Sequence, residues 1–220
     1  MTGYSYRYVG AESLPAKLSE FDLQQYFRLS REDVEALTSR FRADRRAGAA
    51  VQVLFFRTAG RPLDRFSTIP RTLLRYVGET LSVSAPTIAS LRAVYSRRQT
   101  LYEHQAWAKQ YLGLKDIDQA ASDQLSDFLS AQANEVVSVD ELVTSAQRWL
   151  YDRQLLIPAE RTVRDLAWKC YDAIEKMIYA TIMSVVPPAT LVTCRQAVYG
   201  ALAGVSGTVL EWLKTPPKAP

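Results

Sequence analysis

The sequence contains few of the residues that build metal centres or disulfide frameworks. Its 220 residues include one histidine and two cysteines, Cys170 and Cys194, which do not stand at metal-ligand spacing. Both cysteines fall in apolar helical patterns, so we expect them to be reduced core residues of a cytosolic protein. The single histidine, His104, lies inside a predicted helix, where a structural role is far more frequent than a catalytic one. We therefore expect no cofactor and no metal.

The sequence also lacks a signal peptide and an apolar run long enough to span a bilayer. Between Met177 and Leu210 the only charged residue is Arg195, but Pro187 and Pro188 divide this stretch. A spanning helix needs about 20 predominantly apolar residues. We expect buried helices here, or a surface that docks onto something outside the chain. We expect no membrane partner.

Alternating strand patterns are missing, and nearly every segment shows helical periodicity with start and stop signals. The sequence predicts an all-α fold of helical bundles with one or two units resembling helix-turn-helix motifs. The predicted parts are an N-terminal extension over residues 1–25, a basic helical subdomain over 26–115, a second helical subdomain over 116–214 and a linker over 215–220.

Several local features are predicted inside these parts. Ser30 to Asp33 resembles a capping box, with aspartate in place of the usual glutamate, and Ser138 to Glu141 forms a second capping box. A helix is predicted from about Gly48 to Thr58, with a stop at Gly60. The helix from Pro158 is expected to turn a stripe inward, and the tryptophans are expected to fill cores or seams. The stripe is Val163, Leu166, Cys170, Ile174, Met177 and Val185, and the tryptophans are Trp107, Trp149, Trp168 and Trp212.

Lysine is absent and acidic residues are scarce between Arg40 and Arg98. This segment has twelve arginines and three acids, a local charge of +9 in a chain whose net charge is +4. From Gln99 to Ser145 two lysines face eight acids, which gives −6. Guanidinium groups pair bidentately with phosphates and base edges, so the arginine block predicts a polyanionic partner. The alternative is a solvated helical face held by salt bridges, although three acids cannot pair twelve arginines locally.

Two helix pairs have the proportions of a helix-turn-helix unit, whose second helix can lie in the major groove of DNA. The first pair is predicted over Pro70–Leu81 and about Pro86–Arg98, with Ser84 as the cap of the second helix. The second pair is predicted over Val139–Arg153 and from Pro158 onward. A purely structural hairpin explains the second pair equally well, because its local charge is only about +2.

The two pairs and the arginine block supply the candidate DNA-contacting residues. In the first pair Thr87, Ser90, Arg92 and Arg97 are expected to face base edges, while Arg71 and Arg75 contact phosphates. The full set of candidates is Arg45, Arg46, Arg57, Arg61, Arg71, Arg75, Thr87, Ser90, Arg92, Arg97, Arg98, Arg161 and Arg164.

The run from Tyr26 to Asp33, YFRLSRED, resembles the opening of the N-terminal region of Tn3-family transposases. The similarity extends over about Leu14 to Pro217. Further matching segments are Arg45 to Ala50, Gln52 to Arg57, Gly60 to Leu63, Ile69-Pro70, Leu73-Leu74, Tyr95 with Arg97 and Arg98, Thr100, His104, Leu155 to Pro158, Arg161 to Leu166, Trp212 to Lys214 and Pro216-Pro217. The family often has Asn-Arg-Leu-Gly where this chain has Asp44-Arg45-Arg46-Ala47-Gly48.

This resemblance implies a sequence-specific module that binds the terminal inverted repeats of a transposon as double-stranded DNA. In the family a DDE-type catalytic domain with an RNase H-like fold lies far downstream, and no strand pattern for it occurs here. The chain is therefore expected to be an N-terminal fragment or a naturally short relative, without catalysis of its own. The expected partners are the DNA ends, the rest of the transposase and a second copy of the chain, with the basic subdomain over 26–115 as the DNA-binding part. The expected location is the bacterial cytoplasm, at the nucleoid when bound to DNA.

Two other functions compete with DNA binding. A helical interaction or oligomerisation module, or a regulator of transposition, would use the basic segment to meet an acidic surface such as the −6 stretch of a second copy. A metal-dependent nuclease acting alone is the least favoured, because no metal constellation can be picked out of the carboxylates.

Overall fold

A computed structural model describes residues 6–66, 68–136, 138–200 and 208–214, and these ranges confirm the all-α class. They contain eleven helices and no β-strand. The helices are α1 Glu20–Tyr26, α2 Arg31–Arg40, α3 Ala43–Ala59, α4 Arg71–Thr80, α5 Ile88–Val94, α6 Arg98–Tyr111, α7 Gln119–Gln132, α8 Val139–Asp152, α9 Glu160–Val185, α10 Pro188–Tyr199 and α11 Val209–Lys214. The predicted linker over 215–220 lies outside the described residues.

The chain divides into two compact units, Met1–Tyr171 and Asp172–Pro220. Helix α9 begins in the first unit and ends in the second. The boundary between residues 115 and 116 that the sequence suggested falls inside the first unit. The N-terminal segment belongs to the core of that unit, because Leu14 and Leu18 are buried in it.

Helix α3 is the centre of the first unit. Twelve of its seventeen residues are buried, and it packs against α2, α4, α5 and α6. The helix begins at Ala43, five residues before the Gly48 start that the sequence suggested. It stops at Gly60, as predicted, and this glycine has the left-handed backbone (φ 73°) that commonly ends helices. A Cβ at Gly60 would lie 2.7 Å from Ile157 Cδ1, so the position also needs close packing.

The helix caps follow the sequence in two places and differ in one. The capping box of α2 is confirmed, since Asp33 N–H donates to Ser30 Oγ (3.2 Å) and Ser30 N–H donates to Asp33 Oδ2 (2.7 Å). Ser138 caps α8 as expected and accepts from the N–H of Glu141. The prediction that Ser84 caps α5 is wrong: Thr87, the residue directly before Ile88, takes that role.

Helix α5 is also shorter than predicted. It ends at Val94 instead of continuing to Arg98, and α6 begins at Arg98. Two local features explain the difference. Pro86 disfavours helical backbone at the residue before it, and a reciprocal Thr87–Ser90 capping box starts the helix after it. At the other end the chain leaves the helix at Tyr95, whose ring is buried.

The second unit exposes the apolar residues that the sequence suggested would be buried. No residue of α10 is buried, and the end of α9 exposes every large apolar side chain from Met177 to Val185. The predicted inward stripe of α9 therefore holds at Val163 and Cys170 but fails beyond Tyr171. The alternative that the sequence left open, an exposed docking surface, fits these residues.

Two single-residue predictions in α9 and α10 are wrong. Cys194 is exposed instead of buried in a core, because α10 has no packed face. Trp168 was expected to fill a core or seam, but its side chain is 57% exposed and stacks on Tyr171. No single helix in the described ranges has the length and apolar character to cross a membrane; α9 and α10 pass only as a pair bent by 119°.

A buried ion pair joins α2 to the end of α3. Arg57 donates to both carboxylate oxygens of Asp33, at 2.8 and 2.6 Å, and Tyr111 from α6 donates to the same carboxylate at 2.8 Å. Burial by itself raises the pKa of Asp33, but the hydrogen bonds from Arg57, Ser30 and Tyr111 outweigh burial and lower it. The same burial and the bond to Asp33 raise the pKa of Tyr111 to about 12. Asp33 is therefore ionised at neutral pH and fully satisfied.

We expect Asp33→Asn to lower the free energy of unfolding by about 2–4 kcal/mol, because it leaves the Arg57 charge unpaired. The Asp33 side chain is 2% exposed and that of Arg57 is 35% exposed, so the loss should fall slightly below that of a fully enclosed pair. Urea unfolding measures it. The control is Glu35→Gln on the same helix, which removes an exposed pair with Arg31 and should cost less than about 0.5 kcal/mol. Equal losses from both changes would contradict the assignment.

The lowered pKa of Asp33 also predicts a pH dependence. An unfolded aspartate titrates near pH 3.9, so the stabilisation is complete above about pH 4 and disappears as the pH falls through the lower folded value. Urea midpoints between pH 6 and pH 3 should fall more steeply for the unaltered chain than for Asp33→Asn. Parallel curves for the two proteins would show that this carboxylate does not control acid stability.

Candidate nucleic-acid interface

Helices α3 and α6 run side by side in the same direction. Near the start of α3, Gly48 lies directly against Tyr95, which stands three residues before α6 begins at Arg98. The ring of Phe41 packs against His104 in the middle of α6, at 4.8 Å between centroids. Near the end of α3, Arg57 and the Tyr111 hydroxyl meet on Asp33. The first turns of the two helices therefore lie at one end of the first unit, and their last turns lie at the other.

Five exposed arginines gather where α3 and α6 begin, and we call this surface the basic end. Arg40 is the last residue of α2, Arg42 and Arg45 flank the start of α3, and Arg97 and Arg98 flank the start of α6. No hydrogen bond or ion pair joins their guanidinium groups to any other described residue. Two exposed acids share this end of the unit, Asp44 and Glu103, so positive charge remains in clear excess.

The opposite end of α3 uses its arginines to hold the fold together. Arg57 lies about 18 Å from Arg45 along the helix axis, at a rise of about 1.5 Å per residue. Its guanidinium group forms an ion pair with Asp33. Arg61 is buried and donates to Glu12 at 2.8 Å, and Glu12 also accepts the backbone N–H of Glu160. These two sequence candidates are thus placed in ion pairs away from the basic end.

Three further candidates have mixed roles. Arg46 donates from Nε to the carbonyl of Phe41 (2.9 Å) and from Nη2 to that of Thr38 (3.2 Å), which secures the corner between α2 and α3. Arg92 donates from Nε to the carbonyl of Phe66 (3.1 Å) and remains exposed. Arg75 sits 4.0 Å from Glu79, a weak exposed pair.

Arg71 is exposed on the first turn of α4, one turn from Arg75. No hydrogen bond or ion pair to another described residue engages its guanidinium group. The buried face of α4 packs on α3, so both arginines point away from the core.

Thr87 and Ser90 form the capping box at the start of α5. Ser90 N–H donates to Thr87 Oγ1 (3.0 Å), and Thr87 N–H donates to Ser90 Oγ (2.8 Å). The same residues line a groove of about 560 Å³ between the start of α3 and the turn that joins α4 to α5. That turn packs closely on α4, because a Cβ at Gly78 would lie 2.7 Å from the Cα of Ala85. The α4–α5 pair is therefore a tight helical hairpin with a fixed turn.

The second predicted pair, α8 and α9, carries less free charge. Arg161 is exposed, but Arg164 donates to Asp140 (2.6 Å) and to Glu160 (2.8 Å). Its turn is tied into the first unit, where Ile157 N–H donates to the carbonyl of Gly60 (2.9 Å). These contacts favour the structural reading of this hairpin.

Sequence reasoning missed Arg40 and Arg42 as interface candidates. Both flank Phe41, the residue at which α2 ends and the chain turns into α3. The signal was available, since two arginines bracketing a helix-to-helix corner cannot both point into a core. A helix start at Gly48, as the sequence predicts, would leave both arginines in a connecting segment away from any helix corner.

A buried tyrosine–histidine pair lies directly beneath the basic end. Burial, and then the nearby Arg45 charge, lower the pKa of His104 to about 4, so its ring is neutral at pH 7. Burial also raises the pKa of Tyr95, so its hydroxyl keeps its proton. The 2.9 Å contact is therefore assigned as Tyr95 O–H donating to His104 Nδ1, and the Nε2 proton has no partner among the described residues.

No group of three or more histidine, cysteine or acidic side chains in the described ranges is arranged to hold a metal ion. The chemistry that the basic end offers is electrostatic: several unpaired guanidinium groups and the positive ends of two helix dipoles. This arrangement can bind a row of phosphates.

Comparison with known proteins finds transposases. A transposase for insertion sequence element IS1071 in transposon Tn5271, from Comamonas testosteroni, is 32% identical over 219 residues, which cover 99% of this chain and 22% of that protein. A transposase for transposon Tn1546, from Enterococcus faecium, is 24% identical over 202 residues, which cover 91% of this chain and 20% of that protein. The chain thus spans about a fifth of the length of these curated relatives.

The match to a family model is independent of these two relatives. It covers residues 10–170, which contain α1 to α8, the first turns of α9 and the whole basic end. Since this is well over half of the chain, the protein belongs to the family described as Domain of unknown function (DUF4158) and is homologous to transposases.

Proposed function

We propose that this chain binds double-stranded DNA in transposition and recognises the terminal inverted repeats of a transposon of the Tn3 type. The observation that carries the proposal is the basic end, where five exposed arginines from three helices remain without acidic partners. The homology to transposases supports the biological setting. The expected location is the bacterial cytoplasm.

The basic end suits a phosphate backbone better than an acidic protein surface. Its charges come from guanidinium groups, which bind phosphate oxygens through two parallel hydrogen bonds. The first turns of α3 and α6 add partial positive charge from unpaired backbone N–H groups. If Arg40, Arg42, Arg45 and Arg98 each neutralise one phosphate, these four contacts should contribute about −3.6 to the slope of log affinity against log salt concentration.

Base recognition is assigned to the α4–α5 hairpin and the residues that follow it. Thr87 and Ser90 share their hydroxyl groups with the cap of α5, so they have less capacity for base contacts than the sequence suggested. The guanidinium group of Arg97 has no hydrogen bond or ion pair with another described residue. Arg92 uses only Nε, which donates to the carbonyl of Phe66, so both of its terminal nitrogens are available for other contacts. We assign these two arginines to base edges, and Arg71 and Arg75 to the backbone.

Strand cutting and joining are assigned to other parts of a transposase. The chain spans 22% and 20% of the two relatives, so their catalytic activity is not carried over to it. In this proposal the purified chain binds DNA ends and does not cleave them.

We expect Arg42→Ala with Arg45→Ala to weaken binding to all DNA by a similar factor, because phosphate contacts are independent of sequence. The salt slope should become shallower by about 1.8, from two fewer displaced counterions. Fluorescence anisotropy at several salt concentrations, on repeat ends and on scrambled duplexes, measures both quantities. The control is Arg31→Ala, at the other end of α2, which should leave the slope unchanged. An unchanged slope in the double variant would reject the basic end as the interface.

Arg97→Ala should reduce the preference for the matched repeat end by about 1–3 kcal/mol if this side chain grips a guanine. Binding to scrambled DNA should change much less. The comparison is Arg71→Ala, which should lower both affinities together. If both variants lower matched and scrambled binding in equal proportion, the division between base and backbone contacts is wrong.

A second candidate function is protein interaction, which the second unit favours. The six large apolar residues between Met177 and Val185 are 45% to 75% exposed and spread over about two thirds of the circumference of α9, at about 100° per residue. A helix with so wide an apolar face is normally covered by other protein. The partner in this reading is a second copy or the rest of a transposase, and sedimentation of the chain without DNA tests the first of these.

A further inference from the structure

Tyr95 is held on three sides where the chain passes from α5 to α6. Its hydroxyl lies 2.9 Å from His104 Nδ1, and its ring stacks on Phe66 with centroids 4.6 Å apart. The residue is 9% exposed. A ring fixed at its hydroxyl and on its face has little freedom to move.

Gly48 forms the third side. A Cβ at this position would lie 2.6 Å from the Tyr95 hydroxyl oxygen and 3.0 Å from Cζ. Real side-chain carbons do not approach other atoms so closely, and Tyr95 cannot swing away without losing His104 and Phe66. Glycine at position 48 is therefore needed for Tyr95 to rest directly on α3.

These contacts join the helices that carry the basic end. Gly48 lies about one turn beyond Arg45 in α3, at about 3.6 residues per turn. Tyr95 stands two residues before Arg97, and the connection between α5 and α6 is only three residues long. His104 lies in α6, which begins at Arg98. The position of Tyr95 thus sets where Arg97 and Arg98 stand relative to Arg45.

Stability alone does not explain a polar pair at this place. His104 is buried, and its Nε2 proton has no partner among the residues described, which is a cost that an apolar residue of similar size would avoid. A hydrogen bond in a dry site fixes distance and direction more narrowly than apolar packing does. The pair is therefore suited to holding a geometry.

We infer that Gly48, Tyr95 and His104 are positioning residues for DNA sequence recognition: they form a strut that fixes Arg97 and Arg98 against the arginines of α3. This inference rests on the proposed function, because it concerns how the same surface discriminates between DNA sequences. The strut itself does not touch DNA.

The test is a double-mutant cycle on Gly48→Ala and Tyr95→Phe. Anisotropy at one salt concentration gives the ratio of affinities for a repeat end and a scrambled duplex. Gly48→Ala should lower this ratio at least fivefold, with less than a twofold change on scrambled DNA. Tyr95→Phe keeps the ring and its stacking but removes the hydroxyl, and should lower the ratio by itself. In the Tyr95→Phe background the added Gly48→Ala change should cost less than twofold, because the closest clash is gone.

Three outcomes are decisive. Unchanged ratios in both single variants, with normal binding by the unaltered chain, would overturn the inference and leave the proposed function standing. Equal losses on both DNAs would show a merely structural contact and also overturn it. If the unaltered chain binds neither duplex, the proposed function fails and the inference fails with it. Should Gly48→Ala not fold, Tyr95→Phe and His104→Gln measure the same ratio.

Discussion

The burial of α3 is the constraint on which the first unit depends. Small residues, Gly48, Ala49 and Ala50, form one stretch of this helix, and neighbouring elements can therefore approach its backbone closely. The helix reaches solvent in its first turns and, near its other end, only at the half-buried Arg57. The enclosed end is neutralised by Asp33, since a buried guanidinium without a counter-charge would be prohibitively costly. The open end needs no internal counter-charge, and this asymmetry creates a surface for an anion.

Charge counting along the sequence therefore gave the right sign and the wrong distribution. Asp33 and Glu12, which neutralise Arg57 and Arg61, precede the arginine block in the chain, so a local count of acids could not include them. Arg46 donates to a backbone carbonyl, and a count of acidic residues cannot detect such a contact. The unpaired positive charge is therefore smaller than +9, and five of the arginines that carry it lie together at the basic end. For binding a duplex, that concentration matters more than the total.

The fold class, the α2 capping box and the stop at Gly60 could be predicted because each depends on local chemistry. The end of α5 could not, because Tyr95 leaves the helix to rest against Gly48, which lies 47 residues earlier in the chain. Cys194 and Trp168 were misplaced for a related reason. Apolar character predicts burial only when a partner surface exists, and the described second unit offers α10 none. The candidate site was predictable as a basic segment, whereas its members Arg40 and Arg42 required the helix corner to be seen.

The two units expose opposite kinds of surface, and this contrast bears on how they act. Phosphate binding at the basic end would release counterions from the DNA, so the affinity should vary strongly with ionic strength. The apolar end of α9 has no charged residue from Met177 to Val185, so association there would be driven mainly by removing apolar area from water, which salt does not weaken. Ionic strength should therefore separate the proposed DNA binding from the proposed protein association. A protein that must hold DNA reversibly while staying joined to a partner benefits from using different forces for the two contacts.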